Sequence, residues 1–388
     1  MNITIIGLGY IGFPVAIKLA EAGFHIHGYD IDSQRIQDIE TGNFNIQEPE
    51  LYERYHAVKS NLSISNKLVK SSTYIVTVQT PVDQNSKADV SYVNRALQDI
   101  GKFLSKGDLV ILESTVPPYS NKAFHGYLSE ISQMNINDFD YAYCPETIQP
   151  GNVFYELSTN ARVIGSINER AFKRAELIYS KLTSGKITHT NFITAEHVKI
   201  MQNAYRDYEI AFANALSIYC DEHRMNVFEL IGLINQHPRA KVLNPGVGVG
   251  GHCLPVDPLF IIEKSSFEPI TFSRNMNNHK TDYVVEKIMN QEPKKVILFG
   301  ATYKPNSDDL RHSPSIEIAN QLIRNHVEVF FCEPNINQEF IYGIKNIKFD
   351  EAIKIKSLKV ITQKHDVFIK GYDNFGKIDF IDFVGLDS

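Results

Sequence analysis

The chain has 388 residues, 43% of them hydrophobic and 22% charged, with 39 Lys and Arg against 45 Asp and Glu for a net charge of −6. That length accommodates two or three domains with substantial cores, and the acidic balance argues against a nucleic-acid or membrane-surface binder. No apolar run reaches the roughly 18 residues of a spanning helix, no charged segment precedes the first strand, and Cys144, Cys220, Cys253 and Cys332 are spaced too widely for a disulfide framework, which points to a reduced, cytoplasmic setting with no resident metal.

Residues 2–30 read as strand, glycine turn, helix, strand: NITII, GLGYIG, a helix to Ala22, then FHIHGYD. Gly7, Gly9 and Gly12 fit G-x-G-x-x-G between a strand and a helix, enclosing Tyr10 and Ile11, and Asp30 ends the second strand. Such glycines permit a tight turn and the close approach of a pyrophosphate to a helix N-terminus. An acid about 20 residues on accepts ribose hydroxyls and repels a 2′-phosphate, so NAD is the expected cofactor. Arg35 either covers the adenine side or sits on a solvated helix face.

More alternation follows, with strands at 72–78, 108–114, 140–146 and 161–166 and helices near 90–104 and 168–182. This pattern predicts a parallel doubly wound sheet whose ligands lie beyond the carboxyl ends of its strands. Thr80-Pro81, Ser114-Thr115 and Pro145-Glu146 fall at three such ends. Each alone is an ordinary turn; on one sheet edge they form a candidate site.

From Thr194 apolar residues recur at helical spacing for about 29 residues, with Thr194 as the N-cap and Glu196 and His197 in the first turn. A helix this long, about 44 Å, is read as the spine of a central helical domain and a dimer surface. Lys199 and Asn203 share one face of it, as part of a solvated surface or as partners for a developing oxyanion. A further helix ends at His237-Pro238-Arg239 and leads into VLNPGVGVGGHCLPVDP, residues 242–258. There Gly246, Gly248, Gly250 and Gly251 precede His252 and Cys253, with Asp257 following. The glycines let the main chain lie against a ligand and expose Cys253 as a nucleophile; an inert thiol in a linker or half a metal site are the plainer readings. A helix at about 269–290 precedes a second α/β unit from Pro293, which lacks the glycine fingerprint and suits a second nucleotide, with Lys304 and Arg311 as phosphate or carboxylate contacts.

In chain order, GLGYIG, VQTP, EST, CPE, Lys199-x-x-x-Asn203, GVGVGGHC and TYKPNSDDLRHS resemble the UDP-glucose/GDP-mannose dehydrogenase family, enzymes that oxidise the C6 alcohol of a nucleotide sugar to a carboxylate with two NAD. EPEL at 48–51, YRDYEIAFANALS, HPR and the glycine stretch look most like the UDP-N-acetyl-D-mannosamine dehydrogenases of that family, followed by enzymes acting on UDP-N-acetylglucosamine or UDP-glucose. The resemblance implies an α/β chain of two Rossmann-like doubly wound domains joined by a central helical domain with a long spine helix. Its expected parts are an NAD-binding domain over 1–192, a helical dimerisation domain over 193–288 that carries Cys253, and a UDP-sugar-binding domain over 289–388.

By the same resemblance Cys253 is the nucleophile, with Lys199, Asn203 and Asp257 around the reacting carbon and Glu146 and Thr115 near the nicotinamide and water. Gly7, Gly9, Tyr10, Ile11, Gly12, Asp30, Arg35, Thr80, Thr115 and Arg311 hold NAD. Glu146, Lys199, Asn203, Gly250, Lys304 and Arg239, the last reaching a neighbouring subunit, hold the UDP-sugar. The implied partner is a second copy, and the implied product an aminouronic acid for a surface polysaccharide such as a capsule. Thr147 where the family has Arg, Gln79 in place of Pro and Ser166 in place of Gly depart from the pattern, and the first two motivate a second reading, a catalytically silent nucleotide-sugar-binding protein.

Overall fold

Short β-branched and aromatic runs, bounded by turns, build the sheet of the first unit, Met1–Met201. The computed structural model describes all residues except 45, 47, 84–86, 149–150, 263–264, 372–379 and 387–388. Eight strands are formed: β1 (Asn2–Ile6), β2 (His25–Tyr29), β3 (Leu62–Ser65), β4 (Thr73–Val76), β5 (Leu109–Leu112), β6 (Asp140–Tyr143), β7 (Arg162–Ser166) and β8 (Ile187–Thr190). They lie in the order β3-β2-β1-β4-β5-β6-β7-β8. TYIV and LVIL are buried at every position, as expected of central strands covered on both faces. Ile3, Ile5, Ile111, Ala142 and Ile164 belong to one core, and Ile6, Val76, Leu112, Tyr141 and Tyr143 to the other.

The doubly wound pattern is therefore present, with one departure from the all-parallel expectation. β7 runs antiparallel to β6, and β8 then continues parallel to β7. The sequence reading also lacked β3 and β8, because LSIS and ITHT carry polar residues and stand at the two edges of the sheet, where no apolar run is needed. The helix expected from Thr194 spans Phe192–Glu222, 31 residues. It begins before Thr194, whose N–H donates to Asn191 Oδ1 at 2.9 Å, so Asn191 takes the capping part. Glu196 is fully buried and accepts from Tyr119 N, Asn121 N and Asn121 Nδ2 at 2.7, 2.7 and 2.8 Å. It anchors the N-terminus of the helix Ser120–Ser132, where a carboxylate is favoured.

The second unit, Gln202–Ser388, holds β9 (Lys295–Phe299), β10 (Glu328–Cys332), β11 (Phe340–Ile341), β12 (Ile344–Lys345), β13 (Leu358–Ile361) and β14 (Phe380–Asp382). β10-β9-β13-β14 form a parallel sheet, and β11 and β12 pair as a small hairpin. Between the apolar Ile270 and Val284, Val285 and Ile288, the helix Glu268–Met289 buries a run of polar residues, Ser273, Arg274, Asn277, Lys280 and Thr281. Their partners lie along the long helix. Asp207 accepts from Arg274 Nη1 at 2.6 Å, Asn277 Nδ2 at 2.8 Å and Ser273 Oγ at 2.9 Å. Asn214 donates to Asn277 Oδ1 at 2.9 Å, and Lys280 Nζ to Ser217 Oγ at 2.6 Å. Polar complementarity thus fixes the register of two helices that a greasy interface would let slide.

Removing one member of a buried pair strands the other charge. Asp207→Ala is expected to destabilise the protein by about 3–5 kcal/mol, read as a lower urea midpoint; a change under about 0.5 kcal/mol would show that the pair is not structural.

Candidate active site

In the first unit, the turn after β1 is shaped by what its glycines lack. Gly7 adopts φ +93°, and a Cβ on Gly12 would collide with Gly7 O and Thr77 Oγ1, whereas one on Gly9 would meet nothing within 4 Å. Gly9 therefore faces open space at the start of the helix Gly12–Glu21, as a pyrophosphate cradle requires. Tyr10 and Ile11 pack on the core beneath, leaving the main chain to face such a ligand. Asp30 accepts from Leu8 N at 2.8 Å and Asp32 N at 3.0 Å. Those bonds use two of about four lone-pair sites, so the carboxylate retains acceptor capacity for a ribose. These residues fit NAD.

Arg35 is tied to the same turn from below, donating Nε to Leu8 O at 2.9 Å and Nη1 to Phe44 O; its Nη2 has no hydrogen-bond partner among the described residues. Beside Asp30, a cavity is lined by Ile31, Val78, Tyr92, Arg95 and Ala96. Tyr92 and Arg95 escaped the sequence reading, whose only clue was their place early in the helix that follows β4. The strand-end hydroxyls are spent on loop geometry: Thr80 Oγ1 donates to Thr115 O, and Ser114 Oγ to Val78 O, both at 2.6 Å. The loops after β4 and β5 are thereby locked together, and Thr80 and Thr115 meet on one edge.

Past β6, Glu146 is half-buried, its N–H donating to Glu113 O at 3.4 Å and its Oε1 accepting from Ile148 N. Burial pushes its carboxyl up to about 7; Lys199 and then Arg162 pull it down, while Glu113 and Glu156 oppose them. Lys199 is itself buried, at 6% exposure. Glu48, within EPEL, accepts from Gly151 N and from Val153 N at 3.1 Å, so that motif clamps the segment following Glu146.

In the second unit the glycine stretch is irregular and leads into the helix Asp257–Ile262. Gly248, Gly250 and Gly251 are needed for packing within the protein. A Cβ on Gly250 would sit 2.5 Å from Tyr303 Cβ and 2.7 Å from His312 O; on Gly248, 2.5 Å from Thr281 Oγ1; on Gly251, 2.9 Å from the Tyr303 ring. Gly248 and Gly251 also have φ of +144° and +89°, where side chains are strained. Gly251 N donates to Arg311 O at 2.8 Å and Gly246 N to Asn214 Oδ1 at 3.0 Å.

Cys253 closes this seam. Its carbonyl accepts from Val256 N at 3.0 Å and Asp257 N at 2.8 Å, starting the helix that presents Asp257. Asp257 Oδ2 in turn accepts from Asn203 Nδ2 at 2.5 Å. Of the four cysteines, Cys144, Cys220 and Cys332 are buried and Cys253 is partly exposed. Burial pushes the Cys144 thiol up to about 12 and raises those of Cys220 and Cys332, which leaves them unreactive. Lys304 lies on the loop that carries Tyr303, half-buried. Arg311 pairs with Asp309 at 2.6 Å, and Arg239 is exposed on a turn. Among the described residues no group of three or more His, Cys, Asp or Glu could hold a metal ion, and no helix is long and apolar enough to cross a membrane.

Three family models match the chain in succession: the NAD-binding domain of the UDP-glucose/GDP-mannose dehydrogenase family over residues 1–183, its central domain over 193–278 and its UDP-binding domain over 297–378. The UDP-N-acetyl-D-mannosamine dehydrogenase of Methanocaldococcus jannaschii is 39% identical over 387 residues, covering 97% of this chain and 88% of the relative. The NDP-N-acetyl-D-galactosaminuronic acid dehydrogenase of Ralstonia nicotianae is 35% identical, covering 95% and 92%. The solved UDP-D-ManNAc dehydrogenase of Pyrococcus horikoshii superposes with a TM-score of 0.92 at 33% identity, covering 100% of this chain and 96% of that one. With the NAD cradle and the UDP-binding domain both present, the protein is an NAD-dependent UDP-sugar dehydrogenase, and the chain belongs to the UDP-glucose/GDP-mannose dehydrogenase family.

Proposed function

We propose that the enzyme oxidises the C6 alcohol of UDP-N-acetyl-D-mannosamine to the carboxylate in two successive two-electron steps, through a covalent adduct on Cys253. The observation that carries this reading is the partly exposed Cys253 thiol, alone in this among four cysteines, at a turn whose next helix holds Asp257 against Asn203. Bound NAD supplies hydride acceptance in each oxidation. The residues of the chain do the rest. Between the oxidations, the Cys253 sulfur adds to the C6 aldehyde carbon to give a thiohemiacetal, whose oxygen carries the developing charge. Lys199 and Asn203 donate to that oxygen. Loss of the second hydride leaves a thioester on Cys253, and attack by water releases the acid and returns the thiol. Glu146, ionising near neutrality, takes the proton of that water, while Asp257 fixes the Asn203 amide in its donating orientation.

In this reading Thr115 borders the nicotinamide, the main chain at Gly250 contacts the sugar, and Lys304 and Arg311 hold the diphosphate and NAD. Arg239, exposed, serves the site of a second copy across the face of the long helix, so the working form is a homodimer of chains each with NAD-binding, helical and UDP-sugar parts over 1–192, 193–288 and 289–388. The choice of N-acetylmannosamine rests on the relatives' names and on EPEL, HPR and the glycine stretch. The Ralstonia relative favours a second reading, another UDP-N-acetylhexosamine, and Thr147 in place of Arg leaves room for it. A panel of UDP-sugars assayed by NADH absorbance separates the two: UDP-N-acetylmannosamine is expected to give the highest kcat/KM, and a tenfold preference for another sugar would overturn the choice. No turnover on any of them would support the silent-binder reading.

Cys253→Ala is expected to abolish acid formation, at least about 10³-fold, with NAD affinity retained; acid produced at a wild-type rate would remove Cys253 from the mechanism. Because Glu146 acts as its carboxylate, kcat is expected to rise with pH through about 7, and Glu146→Gln to lose that limb. A wild-type profile flat between pH 6 and 8, units marking roughly one on either side of the midpoint, would contradict the assignment.

A further inference from the structure

β7 carries an arginine into a mainly apolar core. β6 and β7 pair antiparallel with Ala142 opposite Ser166 and Tyr143 opposite Gly165. The pairing ends there: β6 stops at Tyr143, and beyond it Glu146 N donates to Glu113 O. Directly opposed residues of an antiparallel pair project to the same face, and alternate residues along a strand share it. Arg162 therefore lies with Ile164 and Cys144 on the face whose core also holds Ile111 and Tyr179, and Glu113 reaches that face two residues beyond Ile111.

Arg162 and Glu113 are each 1% exposed, Cys144 and Tyr179 0%. Tyr179 OH donates to Glu113 Oε1 at 2.5 Å, and the Arg162 guanidinium carbon lies 5.6 Å from the centre of the Tyr179 ring. Arg162 Nε, Nη1 and Nη2 and Glu113 Oε2 have no hydrogen-bond partner among the described residues. A guanidinium kept for structure alone would have its donors spent on carboxylate or carbonyl oxygens, since an unpaired buried charge is expensive. Here the charge is retained in the core without hydrogen bonds among the described residues, in the buried cluster that holds Glu113 and Cys144, which stand two residues ahead of Thr115 and Glu146 respectively.

We infer that Arg162 is a positioning residue for the reaction, a fixed buried cation that acts from within the core to keep the Glu146 carboxylate ionised, with the Tyr179 ring fixing its place. The inference rests on the assignment of Glu146 to proton transfer. The groups that face Glu146 are Lys199, Arg162, Glu113 and Glu156; those that face Arg162 are Cys144, Glu113, Tyr179 and Glu146. Burial keeps Cys144 and Tyr179 neutral, the thiol pushed up to about 12 and the phenol raised well above its usual value. Both cations favour the carboxylate, and Arg162 is the one that stands outside the proposed substrate contacts. Its loss raises the proton affinity of Glu146, so the carboxylate appears only at higher pH.

The test is an infrared titration of the protonated-carboxyl stretch that Glu146→Gln removes, with the pH profile of kcat alongside, for wild type and for Arg162→Gln, Arg162→Met and Arg162→Lys. NAD binding and thermal melting establish that each variant is folded. The expected result is a midpoint raised by about one pH unit in the Gln and Met variants and restored to within a few tenths in the Lys variant. Folded Gln or Met variants with the wild-type midpoint overturn the inference while leaving Glu146 in its role. A Lys variant shifted as far as Gln assigns the arginine to packing alone and overturns it as well. If Glu146→Gln leaves both the band and the kcat limb in place, the role of Glu146 itself fails, and the inference with it.

Discussion

In the second unit, main chain meets side chain along a seam without an intervening Cβ, and the placement of Cys253 depends on it. Gly250 and Gly251 lie flush against Tyr303 and His312, and the Gly251 N–H bonds to the Arg311 carbonyl. That contact ties the glycine stretch to the loop between β9 and the helix Pro314–Arg324. Everything downstream inherits its position: Cys253 opens the next helix through its carbonyl, Asp257 stands at the start of that helix, and Asn203 is held by Asp257. A methyl group at Gly250 would meet backbone and Cβ atoms rather than the tip of a flexible side chain, and the thiol would move with the main chain. The position of the thiol is fixed by backbone packing before any ionisation is considered.

The first unit solves a complementary problem, keeping an acid half-buried at a strand end without letting it become permanently protonated. Burial drives Glu146 upward and two cations draw it back, leaving it close to neutrality. The same burial silences the Cys144 thiol. Electrostatic selection of this kind requires walls, and the fully buried strands β4, β5 and β6 supply them.

What was legible in the sequence follows from where periodicity and special residues coincide. G-x-G-x-x-G between a strand and a helix, Asp30 at the next strand end, and Lys199 and Asn203 one turn apart are local patterns, and the local structure has them. Edge strands β3 and β8 were invisible because a polar edge needs no apolar signature. The reversal of β7 was invisible because strand direction is set by connection and packing rather than by side-chain pattern. The glycines of residues 246–251 announced close approach, but their neighbours at 303–314 are remote in sequence, so packing within the protein could not be told from contact with a ligand. Arg162 read as an ordinary strand residue; its interest appears only when its guanidinium is found buried against the Tyr179 ring with no hydrogen-bond partner among the described residues.

The central claim is that one thiol carries the sugar between two oxidations. It is tested most directly by counting NADH against acid in a single reaction of the purified enzyme with UDP-N-acetylmannosamine, with product analysis for free aldehyde. The account predicts two NADH for each acid released and no accumulating aldehyde. One NADH per turnover, with aldehyde or ketone as the product, would contradict it.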